Sequence, residues 1–184
     1  MRPLRPAVTW LVVLVLCAGC TGQRPIATYE PGRDATLYRS PLITVARQLS
    51  EQGYGNSSSI TMQGLARCSG RHCTPDVIRL MFTVAGNTGV AFEDRTIRLS
   101  ADGKSYTWKD QMRLREDDVR RMATVGQIGG VRLRIPALER IVNATSVTGS
   151  VGGRSIEIDA HGRAKLRRFL EAMRPPFPDS SAGS

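Results

Sequence analysis

Val77-Ile78-Arg79-Leu80-Met81-Phe82-Thr83-Val84 places Ile78, Leu80, Phe82 and Val84 at alternate positions and Arg79 between them. Successive side chains of a β-strand point to opposite faces, so this stretch reads as a half-buried strand with one face on a core. Strands of this kind belong to antiparallel sheets, which pack one face and wet the other.

The same pattern recurs on both sides of it. Ser59 to Cys68 alternates at Ile60 and Met62, and Leu42-Ile43-Thr44-Val45 follows Pro41. Thr96-Ile97-Arg98-Leu99-Ser100 leads through Asp102-Gly103 to Ser105-Tyr106-Thr107-Trp108. Asp-Gly between two such runs signals a two-residue hairpin, because the turn requires positive φ. Val131-Arg132-Leu133-Arg134-Ile135 alternates with its arginines facing water, and Gly152-Gly153 separates Val147–Val151 from Ser155–Ile158 as a further hairpin. Two helices come late. Pro136 suits a first helical turn ahead of Leu138, Ile141 and Val142. Leu166, Phe169, Leu170 and Met173 then follow helical spacing from about Gly162, with Asp159 placed to cap the start. The expected class is α+β and mainly antiparallel: a sandwich or open barrel of about seven short strands, with two late α-helices. The stretch from Met112 to Met122 is ambiguous.

Before this domain the chain opens MRPLRPAVTWLVVLVLCAGC. Arg2 and Arg5 precede an apolar run of about 11 residues, where a membrane-spanning helix needs about 20. A positive start, a short apolar run and small residues make an export signal. Leu16-Cys17-Ala18-Gly19-Cys20 resembles the lipobox of bacterial lipoproteins, with Cys17 standing where an aliphatic residue is usual. The resemblance implies cleavage before Cys20, diacylation of its thiol and anchoring to the extracytoplasmic side of a membrane. Thr21, in place of the Asp that retains such proteins in the inner membrane, implies the outer membrane facing the periplasm if the host is Gram-negative. The chain then divides into a signal peptide (1–19), a lipidated start and flexible tether (20–34), one globular domain (35–174) and a disordered tail (175–184). The domain is similar to small envelope lipoprotein domains of unassigned function.

Export decides the cysteines. With Cys17 removed and Cys20 acylated, Cys68 and Cys73 remain, and an oxidising compartment favours a disulfide between them. A zinc site using these two with His72 and His161 has the wrong spacing, four residues between the cysteines instead of two, so no metal is expected.

The formal charge is +10, and +8 without Arg2 and Arg5; 23 of the 26 basic residues are Arg. A basic chain is drawn to anionic surfaces, although a GC-rich genome also favours Arg codons. Arg163, Lys165, Arg167 and Arg168, with Arg174 beyond, mark the polar side of the last helix as a candidate anionic-surface site. Catalytic patterns are not found: no nucleophile elbow, phosphate loop or metalloprotease motif occurs, and His72 and His161 have no identifiable partner. Glu93-Asp94 and Asp117-Asp118 read as solvated loops, and the sequons at Asn56 and Asn143 as chance matches. No cofactor or nucleic acid is expected. The expectation is a non-enzymatic envelope lipoprotein that binds a protein partner or serves an assembly; the alternative is a carrier or sensor of an anionic lipid or glycan.

Overall fold

The computed structural model describes residues 24–48, 58–71, 73–85, 94, 96–109 and 125–174. The leader, Cys20, His72, Asp117-Asp118 and the tail from 175 lie outside them.

Ten strands and two helices occur among the described residues. In chain order they are β1 (Ile26–Glu30), β2 (Ala35–Arg39), β3 (Ile43–Gln48), β4 (Ser58–Ser69), β5 (Val77–Ala85), β6 (Ile97–Ala101), β7 (Lys104–Trp108), β8 (Val125–Arg134), α1 (Ile135–Asn143), β9 (Val147–Val151), β10 (Arg154–Glu157) and α2 (Ala160–Met173). They form two open antiparallel sheets. One runs β1-β2-β4-β5-β8 with β3 also paired to β4, and the other runs β10-β9-β6-β7. The α+β class with two late helices therefore holds, with more strands than the seven expected.

One of the additional strands corrects the tether. Residues 26–30 form β1 and pair in register with β2, Ile26 opposite Arg39 and Glu30 opposite Ala35. Pro31-Gly32 looked like linker chemistry but lies in a 3-10 turn, Pro31–Arg33, that closes this hairpin. Asp34 takes the left-handed conformation (φ 41°) and accepts a 2.8 Å hydrogen bond from the Tyr29 hydroxyl. That bond holds the Tyr29 phenol above its ordinary pKa. The fold thus begins by Ile26, and a tether ending at residue 34 is too long.

Strand β4 organises the larger sheet. Along one edge, Leu65–Ser69 pairs with β2 and Ser58–Met62 pairs with β3. Pro41 sits at the junction between these two partners and can donate no ladder bond. Ser40 compensates: its N–H donates to the Gly64 carbonyl at 2.8 Å, and its Oγ accepts from the Gly64 N–H at 2.8 Å. Gln63 Nε2 adds a 3.0 Å bond to the Ser40 carbonyl. Beside this corner α2 sets down Phe169. A Cβ on Gly64 would stand 2.8 Å from the Phe169 ring, so the absent side chain is what admits it.

Both predicted two-residue turns have positive φ at both positions, 47° and 81° at Asp102-Gly103 and 57° and 82° at Gly152-Gly153, as a hairpin of this twist requires. Asp159 caps α2 by accepting from the Gly162 N–H at 2.6 Å. Inward residues of both sheets and both helices merge into one core, with Phe82, Ile97, Leu138 and Phe169 fully buried.

Candidate functional site

Asp102 fixes the position of the β6–β7 hairpin. Its carboxylate accepts from the Thr145 N–H (3.0 Å), the Thr145 hydroxyl (2.9 Å) and the Ser146 N–H (3.0 Å), in the loop after α1. These donors hold the Asp102 carboxyl below the ordinary carboxylate value. The hairpin is thereby pinned over α1, and a cleft of about 570 Å³ lies between them. Lys104 and Tyr106 reach it from β7, and Glu139, Arg140 and Asn143 from α1. Arg140 Nε donates to the Tyr106 hydroxyl at 3.1 Å. Tyr106 also stacks on Trp108, with centroids 6.0 Å apart and planes 11° from parallel. Glu139 is engaged with Arg174 at 3.3 Å. The cleft offers an ordered aromatic and guanidinium pair beside the Lys104 cation. Sequence reading placed Tyr106 and Trp108 on a strand but missed this site. Their spacing puts both on one face, yet nothing local shows that Arg140 meets Tyr106.

A second cleft, of about 600 Å³, lies between β3, the end of β10 and the start of α2. Glu157, Asp159, His161 and Lys165 line it. Its titratable groups are partly engaged, Asp159 as the helix cap and Lys165 through a 3.1 Å bond from Nζ to the Leu42 carbonyl.

The candidate basic face of α2 is divided by the structure. Arg163 donates to the Ile158 carbonyl (2.7 Å) and Arg167 to the Val142 carbonyl (2.9 Å), toward the α1 side. Lys165 reaches the β2–β3 corner on the opposite flank, and the buried stripe of Leu166, Phe169, Leu170 and Met173 runs between. Arg168 stands exposed on the outer side. Three of these four cations therefore brace neighbouring backbone. Helical periodicity identified the polar arc but could not show which carbonyls lie beside it.

Cys68 and Cys73 form a disulfide, S–S 2.09 Å with Cα atoms 5.8 Å apart. Around it the Thr36 hydroxyl donates to the Gly70 carbonyl (2.7 Å) and the Tyr38 hydroxyl to the Cys73 carbonyl (3.1 Å), tying the loop to β2. Among the described residues no group of three or more His, Cys, Asp or Glu is placed to hold a metal. The chain matches no protein-family model, no curated protein and no solved structure, so a functional reading starts from these local geometries.

Proposed function

We propose that the chain is an exported, lipid-anchored protein of the cell envelope that works by holding a protein partner in the cleft between the β6–β7 hairpin and α1. The export signal and lipobox resemblance support the location, and among the described residues no helix is long and apolar enough to cross a membrane. The observation that carries the binding reading is Tyr106, bonded by Arg140 and stacked on Trp108. Tyr, Trp and Arg are the residue types that dominate interface energetics. Holding them in place before binding lowers the ordering cost of association.

Capture of an anionic lipid or glycan is a second reading, favoured by Lys104 beside Tyr106 and Arg140 on the same cleft. An aromatic face and cations suit a charged sugar or headgroup.

Cross-linking of the full-length protein in intact cells, followed by purification, separates the two. The expected result is one dominant protein partner whose yield falls at least about tenfold in Arg140→Ala, the loss typical of an anchor residue. Undiminished recovery of that partner from both Arg140→Ala and Tyr106→Phe would remove the cleft from the interaction. Co-purified lipid or glycan without a protein would favour the second reading.

A further inference from the structure

The outward face of the larger sheet gathers four arginines from three strands. Arg39 on β2 stands opposite Leu65 on β4, Leu65 opposite Arg79 on β5, and Arg79 opposite Arg132 on β8. One pleat further along, Val77 stands opposite Arg134. Their strand neighbours Tyr38, Ala66, Ile78, Leu80, Val131 and Leu133 are buried, so this row points away from the core. Arg39, Arg79, Arg132 and Arg134 are exposed and have no hydrogen-bond or ion-pair partner among the described residues. Arg79 crosses the face beside Gly130, where a Cβ would stand 3.0 Å from its Nε. Glu30 is the acid on the outward strand positions, and it is engaged with Arg33 and Arg67. Like charges directly opposite across two strands, as in Arg79 and Arg132, destabilise a sheet unless something anionic covers them.

Two exposed apolar residues share the face. Ile26, 59% exposed, stands opposite Arg39, and Val77, 45% exposed, opposite Arg134. Ile26 also opens the first described strand. From Cys20 to Ile26 an extended chain spans at most about 20 Å. Lipid on Cys20 would keep this corner of the sheet close to the bilayer surface.

We propose that this face is the membrane-facing side of the protein and lies on the phosphate-bearing headgroups of anionic phospholipid. Ile26 and Val77 then enter the interfacial layer while the four guanidiniums pair with phosphates. The proposal rests on the reading that Cys20 carries lipid. It also leaves the β6–β7 cleft free for a partner.

The test is arginine footprinting with phenylglyoxal and peptide mass spectrometry. It uses the full-length lipidated protein reconstituted into phosphatidylcholine vesicles with or without phosphatidylglycerol. Modification of Arg39, Arg79, Arg132 and Arg134 is expected to slow at least about tenfold on the phosphatidylglycerol vesicles. Raising salt from about 0.1 M to about 0.5 M should restore it, since screening weakens the attraction. Arg168, on the far side of α2, should react alike throughout. Equal rates on both vesicles, or protection that persists on phosphatidylcholine in high salt, would overturn the proposal. So would protection that appears only when an acidic protein from the envelope is added. The mass of the N-terminal peptide reports Cys20 separately. An unmodified Cys20 ends the anchor reading, whereas an acylated Cys20 with unprotected arginines ends the docking proposal alone.

Discussion

Asp102 shows how one residue can serve two levels of structure. Its backbone takes the positive φ that its turn demands, and its carboxylate joins that turn to the loop after α1. The hydrogen bonds from Ser146 and Thr145 stabilise the charged form and lower its pKa. A carboxyl whose folded pKa lies below its unfolded value contributes stability that is present above the unfolded pKa. That contribution is lost as pH falls through the folded pKa. Asn tolerates the same backbone conformation but carries no charge. Asp102→Asn is therefore expected to be less stable than the parent at neutral pH, with the gap closing as the medium is acidified below the ordinary carboxylate range. Urea unfolding at several pH values measures it, and a gap independent of pH would show that the charge contributes nothing. Asp94 has the same sign, its carboxyl lowered chiefly by the Thr96 N–H at 2.7 Å, so the acid sensitivity of the parent has at least these two sources.

Among the elements, β4 depends most on side-chain chemistry, because its partner on one edge changes midway from β2 to β3. A break in a partner strand exposes ladder groups, and here the Ser40 Oγ closes the gap by accepting from Gly64 and donating to the Pro41 carbonyl. Ser40 is 3% exposed. Ser40→Ala would leave the Gly64 N–H buried without an acceptor, at a cost of about 1–3 kcal/mol. Chemical denaturation should show that loss with little change in slope; an unaltered midpoint would mean that water or a shifted backbone replaces the hydroxyl. The corner explains why reading Leu42–Val45 and Ser59–Cys68 as strands was sound while their arrangement stayed hidden. Alternation reports which face of a strand is buried, not which strand lies beside it. The β1–β2 hairpin was missed for a related reason. Its residues 26–30 are exposed or half-buried, so one edge strand carries little apolar signal, and its ordering comes from pairing with β2.

For the whole molecule, Phe169 packs α2 on the larger sheet, resting on Gly64 within a core that also holds Ile97, Val147 and Val151 of the smaller sheet. A contiguous core favours one cooperative transition. Phe169→Ala is expected to cost about 3–5 kcal/mol and to lower the stability of both sheets together. Far-UV circular dichroism and Trp108 fluorescence, followed through denaturant, should give coincident curves that shift in parallel; separate transitions would show two independent units. At this scale the division between sequence and tertiary structure is clear. The amino-acid order by itself determined the local periods: period-two runs such as Ile78 to Val84, the helical stripe from Leu166 to Met173, and turns at Asp102-Gly103 and Gly152-Gly153. Each of these depends on residues a few positions apart. The export signal and the lipobox resemblance are likewise local readings. Pairing decided the rest. Register alone set Arg79 opposite Arg132 and brought Arg39 and Arg134 into one face. Packing of the hairpin on α1 joined Tyr106 to Arg140, and carbonyls of the β2–β3 corner and of α1 claimed Lys165 and Arg167. These contacts join residues far apart in the chain, and only closure of the common core fixes which of many alternative pairings forms.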